Sequence, residues 1–595
     1  MRIYNIYKMR ILALILFGTI LALGFSSCQD FLTVYPENQM SSEEFLQTEK
    51  DMEIYCNGFI QRILSGGLSL CYADANSDNV ATRTSTSFLI GDTWRPEDQG
   101  GWSWTTLRDI NWYLDNLPRA KSNVSEVTYK HYEGVGRFWR AYFYYDMVKT
   151  FGDVPWYDHE LQSTDHEALY KPRDSREFVM DKVLEDLNFA AQYCSSDIKV
   201  VASSTKISRW VALAFKARVC LFEGTYRKYH VELGLQSSVN KFLNEAATAC
   251  ETLMQESPYG LVTNGDVKTQ YRSLFTSDDL NTKEVILGVA YKTGVRMHNV
   301  TWYTLSASAG SSWSMTKQFV NQYLMLDGSR FTDKAGYETM SYTEEFKNRD
   351  NRMAQTLLSP DYERKVNGTV RPVAPEWGIT NTGYEIIKWV IDDDVHIGMT
   401  TSVNSLPIFR FGEVLLNYAE AKAELGEMSE AIWNKTIKPL RERAGVSGAV
   451  PATYDSYLAA YYLNQTSDKW ILEVRRERAV EMASEQVRND DIMRWKMGEL
   501  LELPWYGIYI GELDKGYDLN GDGTVDLTVS TTGSASTSRV VLGSAFRLSE
   551  GDHGYIDYGY NINRMWTDRK YLRPIPATAL QMNPDLGQNP GWGEK

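Results

Sequence analysis

The apolar positions of this chain recur mainly with the spacing of amphipathic helices. Gly152 followed by Pro155 is typical of a helix end, Ser175 is a candidate N-cap, and Gly224 is a candidate stop. The periodicity predicts helices at six places in the first half of the chain: 41–64, 105–117, 126–149, 176–193, 206–223 and 239–256.

Two long stretches break the helical pattern. Residues 66–104 are rich in Gly, Asp, Asn, Ser and Thr, and 258–405 mix short strand-like pieces with turns. Long loops in compact proteins are usually functional. Residues 528–538 are low in sequence complexity and are predicted to be a mobile loop.

Helical pairing resumes at 409–445, where Gly426 ends one helix and Gly445 the next. This pattern predicts a helical hairpin like one tetratricopeptide (TPR) unit, although the strict repeat is absent. A further helix at 469–485 is strongly charged on one face. The fold class predicted is therefore mostly α, with an irregular, loop-rich second part.

The amino-terminal segment has the layout of a secretory signal. Basic residues precede an apolar run at 11–25, and small residues lead to Cys28. A cysteine at the cleavage point indicates a bacterial lipoprotein signal at 1–27, a lipidated Cys28 and a tether at 28–40. A transmembrane anchor is the alternative, but a span needs roughly 20 apolar residues and this run has about 15.

The amino-acid composition limits the kinds of molecule that this chain can bind. The chain has 595 residues, 43% of them hydrophobic, with a mean hydropathy of −0.38 and a formal net charge of −15. Such length and apolar content can build one large core or two closely packed lobes. The negative charge repels nucleic acid phosphates and anionic lipid surfaces, so both are excluded as partners.

Six cysteines are present. If Cys28 is lipidated, an odd number remains, so a complete disulfide framework is excluded. Cys220 and Cys250 lie within apolar helical patterns and are predicted to be buried thiols. A disulfide bridge between Cys56 and Cys71 remains an alternative.

Catalytic motifs are missing. The segment 166–170, HEALY, has Tyr170 where a zinc-protease helix needs its second histidine. The chain contains no GxSxG elbow and no GxxxxGK[ST] loop, and GVGRFW at 134–139 lacks a third glycine. Because carboxylates are abundant, a catalytic pair of carboxylates like that of a glycosidase remains an alternative. We predict that the chain is not an enzyme and requires no cofactor.

One loop has the pattern of a calcium site. Alternating oxygen ligands with a glycine at the sixth position are typical of calcium loops, but the bidentate acid of the twelfth position is replaced by Val529. The alternative is an ordinary Asx- and Gly-rich turn. The candidate ligands are Asp518, Asn520, Asp522, Thr524 and Asp526.

Aromatic residues in polar loops are the candidate ligand contacts. Sugar C–H faces stack on exposed rings without losing the hydrogen bonds of their hydroxyls. The alternative is that each ring packs its loop onto the core. The candidates lie in Gly/Ser/Thr-rich surroundings: Trp94, Trp102, Trp302, Tyr303 and Trp313.

Several segments resemble the SusD/RagB family of outer-membrane lipoproteins of Bacteroidetes. They occur in family order along the whole mature chain, and Val487 stands where the family more usually has Gly. The matching segments are 137–156, 209–225, 409–426, 440–446, 471–495 and the QNPG-containing end at 571–592.

The resemblance implies a superhelical scaffold of TPR-like hairpins, with an N-terminal region at 41–260 and a C-terminal region at 261–595. It implies a lipid-anchored protein facing outward from the outer membrane. Such proteins bind oligosaccharides, or peptides in some branches, and deliver them to a SusC-like TonB-dependent transporter. A surface glycoside hydrolase is the remaining alternative.

Overall fold

The computed structural model of the chain describes residues 45–63, 73–84, 86–307 and 312–593. Cys28, the tether and Cys71 lie outside these residues, so lipidation stays a prediction and a Cys56–Cys71 bridge stays an alternative. Within the described part, no helix combines the length and the apolar character that crossing a bilayer requires.

Helices dominate the fold, and the sheets are small. The helices are α1 Glu49–Ile63, α2 Thr105–Asn116, α3 Glu126–Phe151, α4 His166–Leu169, α5 Arg176–Tyr193, α6 Ile198–Val201, α7 Arg209–Tyr229, α8 Val239–Glu256, α9 Gln270–Thr276, α10 Val300–Leu305, α11 Lys317–Val320, α12 Tyr342–Glu345, α13 Asn351–Thr356, α14 Phe411–Glu424, α15 Glu430–Lys435, α16 Ile437–Arg443, α17 Ser456–Tyr461, α18 Lys469–Glu481, α19 Arg488–Arg494 and α20 Ala577–Met582.

Short strands form two- and three-stranded sheets. The strands are β1 Val80–Ala81, β2 Val285–Val289, β3 Ser314–Met315, β4 Glu363–Val366, β5 Thr369–Pro372, β6 Leu406–Arg410, β7 Trp505–Ile510, β8 Gly516–Tyr517, β9 Leu527–Ser530, β10 Arg539–Val541, β11 Phe546–Leu548 and β12 Gly554–Tyr558. The sheet orders are β1–β3, β2–β6, β4–β5, β8–β9–β10 and β7–β12–β11. Only β9 and β10 pair in parallel among these described strands; the other pairs are antiparallel.

Local sequence signals place most of the long helices. Ser175 caps α5, where its side chain accepts a hydrogen bond from the backbone N–H of Phe178. Gly152 follows α3 with φ of 75°, a conformation that favours glycine. The predicted bounds of α5 and α8 agree with the structure.

The prediction that Gly224 stops a helix is wrong. α7 continues through it to Tyr229. A Cβ at Gly224 would lie 2.8 Å from Leu243 Cδ2 and 3.1 Å from the backbone nitrogen of Leu243 in α8. The glycine therefore permits α7 and α8 to approach closely. This requirement comes from Leu243, which lies outside the local sequence pattern around Gly224.

The first core lies among α1–α3, α5, α7, α8 and α14, and contains Cys220 and Cys250 as fully buried free thiols. The predicted helical hairpin is present, although Thr436 divides its second helix into α15 and α16. α14 packs on α8, so the hairpin extends the amino-terminal helical scaffold.

The second core lies under the sheets and loops of the second half of the chain. Part of the low-complexity stretch belongs to it, because residues 527–530 form β9 and Val529 is fully buried. The prediction of a mobile loop over all of 528–538 is therefore wrong at its start. Alternation of apolar and polar residues in β9 was the signal for a strand.

Residues 471–481 of the charged helix α18 are buried on every side of the helix. Burial raises the pKa of Glu481, but the guanidiniums of Arg443, Arg410 and Arg352 outweigh it and hold that pKa well below its ordinary value. These charges face inward because each finds an opposite charge on another segment. The buried charged residues of α18 are Glu473, Arg475, Arg476, Glu477, Arg478 and Glu481.

Candidate functional site

Three of the five predicted aromatic contacts come together beside the second core. α10 carries Trp302 and Tyr303, whose ring centroids are 6.0 Å apart, and both side chains are half-buried. The Tyr303 ring lies 5.4 Å from that of Trp313. We call Trp302, Tyr303, Trp313 and the neighbouring Arg83 the aromatic site.

Arg83 was missed by the sequence reasoning. Its guanidinium donates hydrogen bonds to the carbonyls of Ala307, at 2.6 Å, and Gly378. The hydroxyl of Ser312 donates to the same Gly378 carbonyl at 2.6 Å. Arg83 thereby joins three loops at the aromatic site. A single arginine in a polar loop has no periodicity that could have revealed this role.

Trp313 is only 6% exposed and belongs to the second core. The prediction of an exposed ring is therefore wrong here, because Trp313 packs under its neighbours and supports Tyr303. The half-buried pair Trp302 and Tyr303 forms the accessible part of the aromatic site.

Trp94 lies elsewhere and is also 6% exposed. Its indole N–H donates to the hydroxyl of Ser87 at 3.3 Å, and its ring packs near Phe88 and Trp592. The prediction of an exposed ring is wrong for Trp94, which fastens the loop to the carboxyl-terminal segment.

Trp102 is half-buried and packs edge-on against Phe151, at a centroid distance of 5.0 Å. It lies on the first core, whereas Tyr303 lies on the second. No contact among the described residues joins Trp102 to the aromatic site. A ligand contact at Trp102 stays a prediction, separate from that site.

The predicted calcium loop connects β8 to β9. Its carboxylates accept backbone hydrogen bonds within the loop: Asp518 from Gly521 and Gly523, and Asp522 from Thr524. Partial burial raises the pKa of Asp526.

Among the described residues, no three His, Cys, Asp or Glu side chains are arranged to hold a metal ion. Calcium accepts oxygen ligands of the kinds that this loop offers, which are carbonyl, hydroxyl and amide oxygens. The carboxylates, however, are oriented towards backbone N–H groups of the turn. Calcium binding stays a prediction.

Two carboxyl groups have a pKa near neutrality. Burial raises the pKa of Asp74 to about 7, although the backbone N–H of Ser484 donates to it at 2.6 Å. Burial likewise raises the pKa of Glu385 to about 7. Perturbed carboxyls are candidate acids or bases where substrate reaches them. These two are 1% and 2% exposed, so their shifts reflect burial in the core.

The comparisons with known proteins agree across the chain. The sequence model of the SusD family matches residues 281–592, and a second family model, described as starch-binding and associating with the outer membrane, matches residues 30–221. SusD-like protein P38 of Formosa agariphila is 24% identical over 510 residues, which cover 81% of this chain and 90% of that protein.

Solved structures share the fold. A SusD-like protein from Bacteroides fragilis superposes with a TM-score of 0.67 at 20% identity, covering 94% of this chain and 100% of its own. A SusD-like carbohydrate-binding protein from the same species gives a TM-score of 0.66 at 20% identity, covering 91% and 99%. Because the first family model spans more than half of the sequence, this chain belongs to the SusD/RagB family.

Proposed function

We propose that this chain is a non-catalytic glycan-binding lipoprotein of the outer-membrane surface. The observation that carries the proposal is the half-buried pair Trp302 and Tyr303, held on α10 over the buried Trp313. Ring faces on a rigid support bury sugar C–H groups at little entropic cost. Arg83 stiffens the adjoining loops by its bonds to two carbonyls.

Two comparisons support a carbohydrate as the ligand. One matching family is described as starch-binding, and one solved relative is described as a carbohydrate-binding protein. The two carboxyl groups with a pKa near 7, Asp74 and Glu385, are buried, so neither is a candidate acid or base for glycan hydrolysis.

Delivery to a SusC-like TonB-dependent transporter completes the proposal. A lipid on Cys28 would keep the binding protein concentrated over one transporter, because tethering raises the effective concentration of two partners. A Cys28→Ala strain should produce protein with unchanged glycan affinity in solution, yet grow poorly on that glycan. Normal growth would contradict the anchoring role.

The binding site is tested by isothermal titration of the purified mature protein with neutral oligosaccharides, acidic oligosaccharides and a peptide mixture. We expect micromolar binding of a glycan, weakened at least about tenfold by Trp302→Ala or Tyr303→Ala through loss of stacking. Trp470→Ala is the matched control, since Trp470 is another half-buried tryptophan, packed against Trp433.

Three outcomes would contradict the proposal. Binding of peptides alone would favour the peptide-binding branch of the family. Release of reducing sugar, abolished by one carboxylate substitution, would establish a hydrolase. Unchanged glycan affinity in both Trp302→Ala and Tyr303→Ala would show that the aromatic site does not bind the glycan.

A further inference from the structure

A polar cleft lies apart from the aromatic site. It has a volume of about 590 Å³ and lies between α9, α13, the start of β4 and the segment 387–392. This volume is in the range of small-ligand sites. We call it the polar cleft, lined among others by Lys268, Arg272, Asn348, Ala354, Asp361 and Asp392.

An ion pair makes part of the cleft wall rigid. The Arg272 guanidinium donates to both carboxylate oxygens of Asp392, at 2.6 Å each, and to the carbonyls of Ile387 and Val390. The hydroxyl of Tyr362 also donates to Asp392. The Asp392 side chain nevertheless stays 41% exposed. Its position is thus set in advance, and exposed lone pairs remain for a ligand hydroxyl.

Other lining groups face solvent with their bonding capacity unused. Lys268, Asn348 and Asp361 are exposed, and their side chains make no hydrogen bond or ion pair with any described residue. Together they offer an ammonium, an amide and a carboxylate, which can donate to and accept from hydroxyl groups. The half-buried ring of Phe346 adds an apolar surface.

The charges in the cleft nearly balance. Arg272 is neutralised by Asp392, and the exposed Lys268 is opposed by the exposed Asp361 and Glu363. A site of mixed sign with many hydrogen-bonding groups favours a neutral, hydroxyl-rich ligand over a strongly charged one.

One segment connects the cleft to the helix of the aromatic site. The backbone N–H of Ile391 donates to the hydroxyl of Thr301 at 3.1 Å, and Val390 packs on Leu305. Thr301 and Leu305 belong to α10, which carries Trp302. The segment 387–392 therefore lines the cleft and contacts the helix of the aromatic site.

We propose that the polar cleft is a second binding site, which takes a neutral sugar unit of an oligosaccharide. The choice of sugar as the ligand class rests on the proposed function, whereas the site itself rests on the cleft geometry.

The test is a substitution that fills the cleft without removing a bond. Ala354 is an exposed alanine of α13 that lines the cleft, so Ala354→Trp should block it. Ala460→Trp is the matched control, because Ala460 is exposed on the equally short α17 and does not line the cleft. The double variant Lys268→Ala/Asp361→Ala removes two exposed polar side chains of the proposed site while leaving the cleft open.

The readout is isothermal titration with maltoheptaose, with neutral mannan and xylan oligosaccharides, and with the acidic oligosaccharides and the peptide mixture named above. We expect Ala354→Trp to abolish one class of binding site, or to weaken affinity at least about tenfold. The double variant should weaken the same class, Ala460→Trp should match wild type, and binding sensitive to the cleft variants should survive Trp302→Ala.

The outcomes separate the two proposals. Binding lost in Trp302→Ala but unchanged in Ala354→Trp would overturn the second site and leave the proposed function standing. Binding lost only in the cleft variants would support the cleft and overturn the aromatic site. Binding of peptides, but of no glycan, in the cleft would overturn its ligand class. If wild type bound none of the glycans, both proposals would fail.

Discussion

The Arg488 guanidinium donates two hydrogen bonds to the Asp78 carboxylate, at 2.8 and 2.6 Å, across 410 residues of sequence. Both residues are buried, and the hydroxyl of Tyr461 donates to the same carboxylate. The pair fixes the loop that leads to Arg83 onto α19. The aromatic site is therefore positioned partly by this ion pair.

Asp78→Ala should destabilise the protein by about 3–5 kcal/mol, because it leaves Arg488 buried without its opposite charge. The free energy of unfolding is measured by urea denaturation. Glu185→Ala is the control, since Glu185 pairs with Lys182 at the surface and should contribute no more than about 0.5 kcal/mol. A small loss at Asp78 would mean that the buried pair does not hold this loop.

Gly224→Ala should destabilise the protein by about 1–3 kcal/mol, because the new methyl group would overlap Leu243 in α8. Gly58→Ala is the matched control in α1, where no heavy atom lies within 4 Å of an added Cβ. There the better helix propensity of alanine should stabilise by up to about 1 kcal/mol. Equal thermal shifts in the two variants would contradict the close helix contact.

Asp74 should make stability depend on pH. Its folded pKa of about 7 lies above the ordinary 3.8, so the folded state holds this proton more tightly than the unfolded state. The contribution is complete below about pH 4 and is lost as the pH rises towards 7, at up to about 1.4 kcal/mol per unit.

Asp74→Asn cannot ionise, so the difference in unfolding free energy between wild type and variant should change from pH 5 to pH 7.5. Asp279→Asn, at an exposed position, should leave the wild-type pH dependence unchanged. Parallel pH profiles for wild type and Asp74→Asn would show that the Asp74 carboxyl does not take up a proton on folding.

Calcium should raise the melting temperature if the loop between β8 and β9 binds it. Stabilisation would reach about 2.7 kcal/mol when calcium exceeds its dissociation constant a hundredfold. Asp518→Asn/Asp522→Asn should abolish the shift, and magnesium at the same concentration should reproduce little of it. An unchanged melting temperature at millimolar calcium would identify the loop as an ordinary turn.

Local pattern determined the helical scaffold. The apolar spacing of α3, α5 and α8 and the caps of α3 and α5 depend on residues within a few positions of each other, so the sequence shows them directly. The motif order along the chain likewise indicated the SusD/RagB family.

Only the tertiary structure decided which side chains meet. The local pattern indicated that Gly224 ends a helix and that the charges of α18 lie on its surface. In the structure, both Gly224 and these charges contact residues distant in sequence. The same holds for the loops: Trp94 and Trp313 are covered by other segments, whereas Trp302 and Tyr303 remain accessible beside Arg83. Burial depends on what packs against a residue, and no local pattern contains that information.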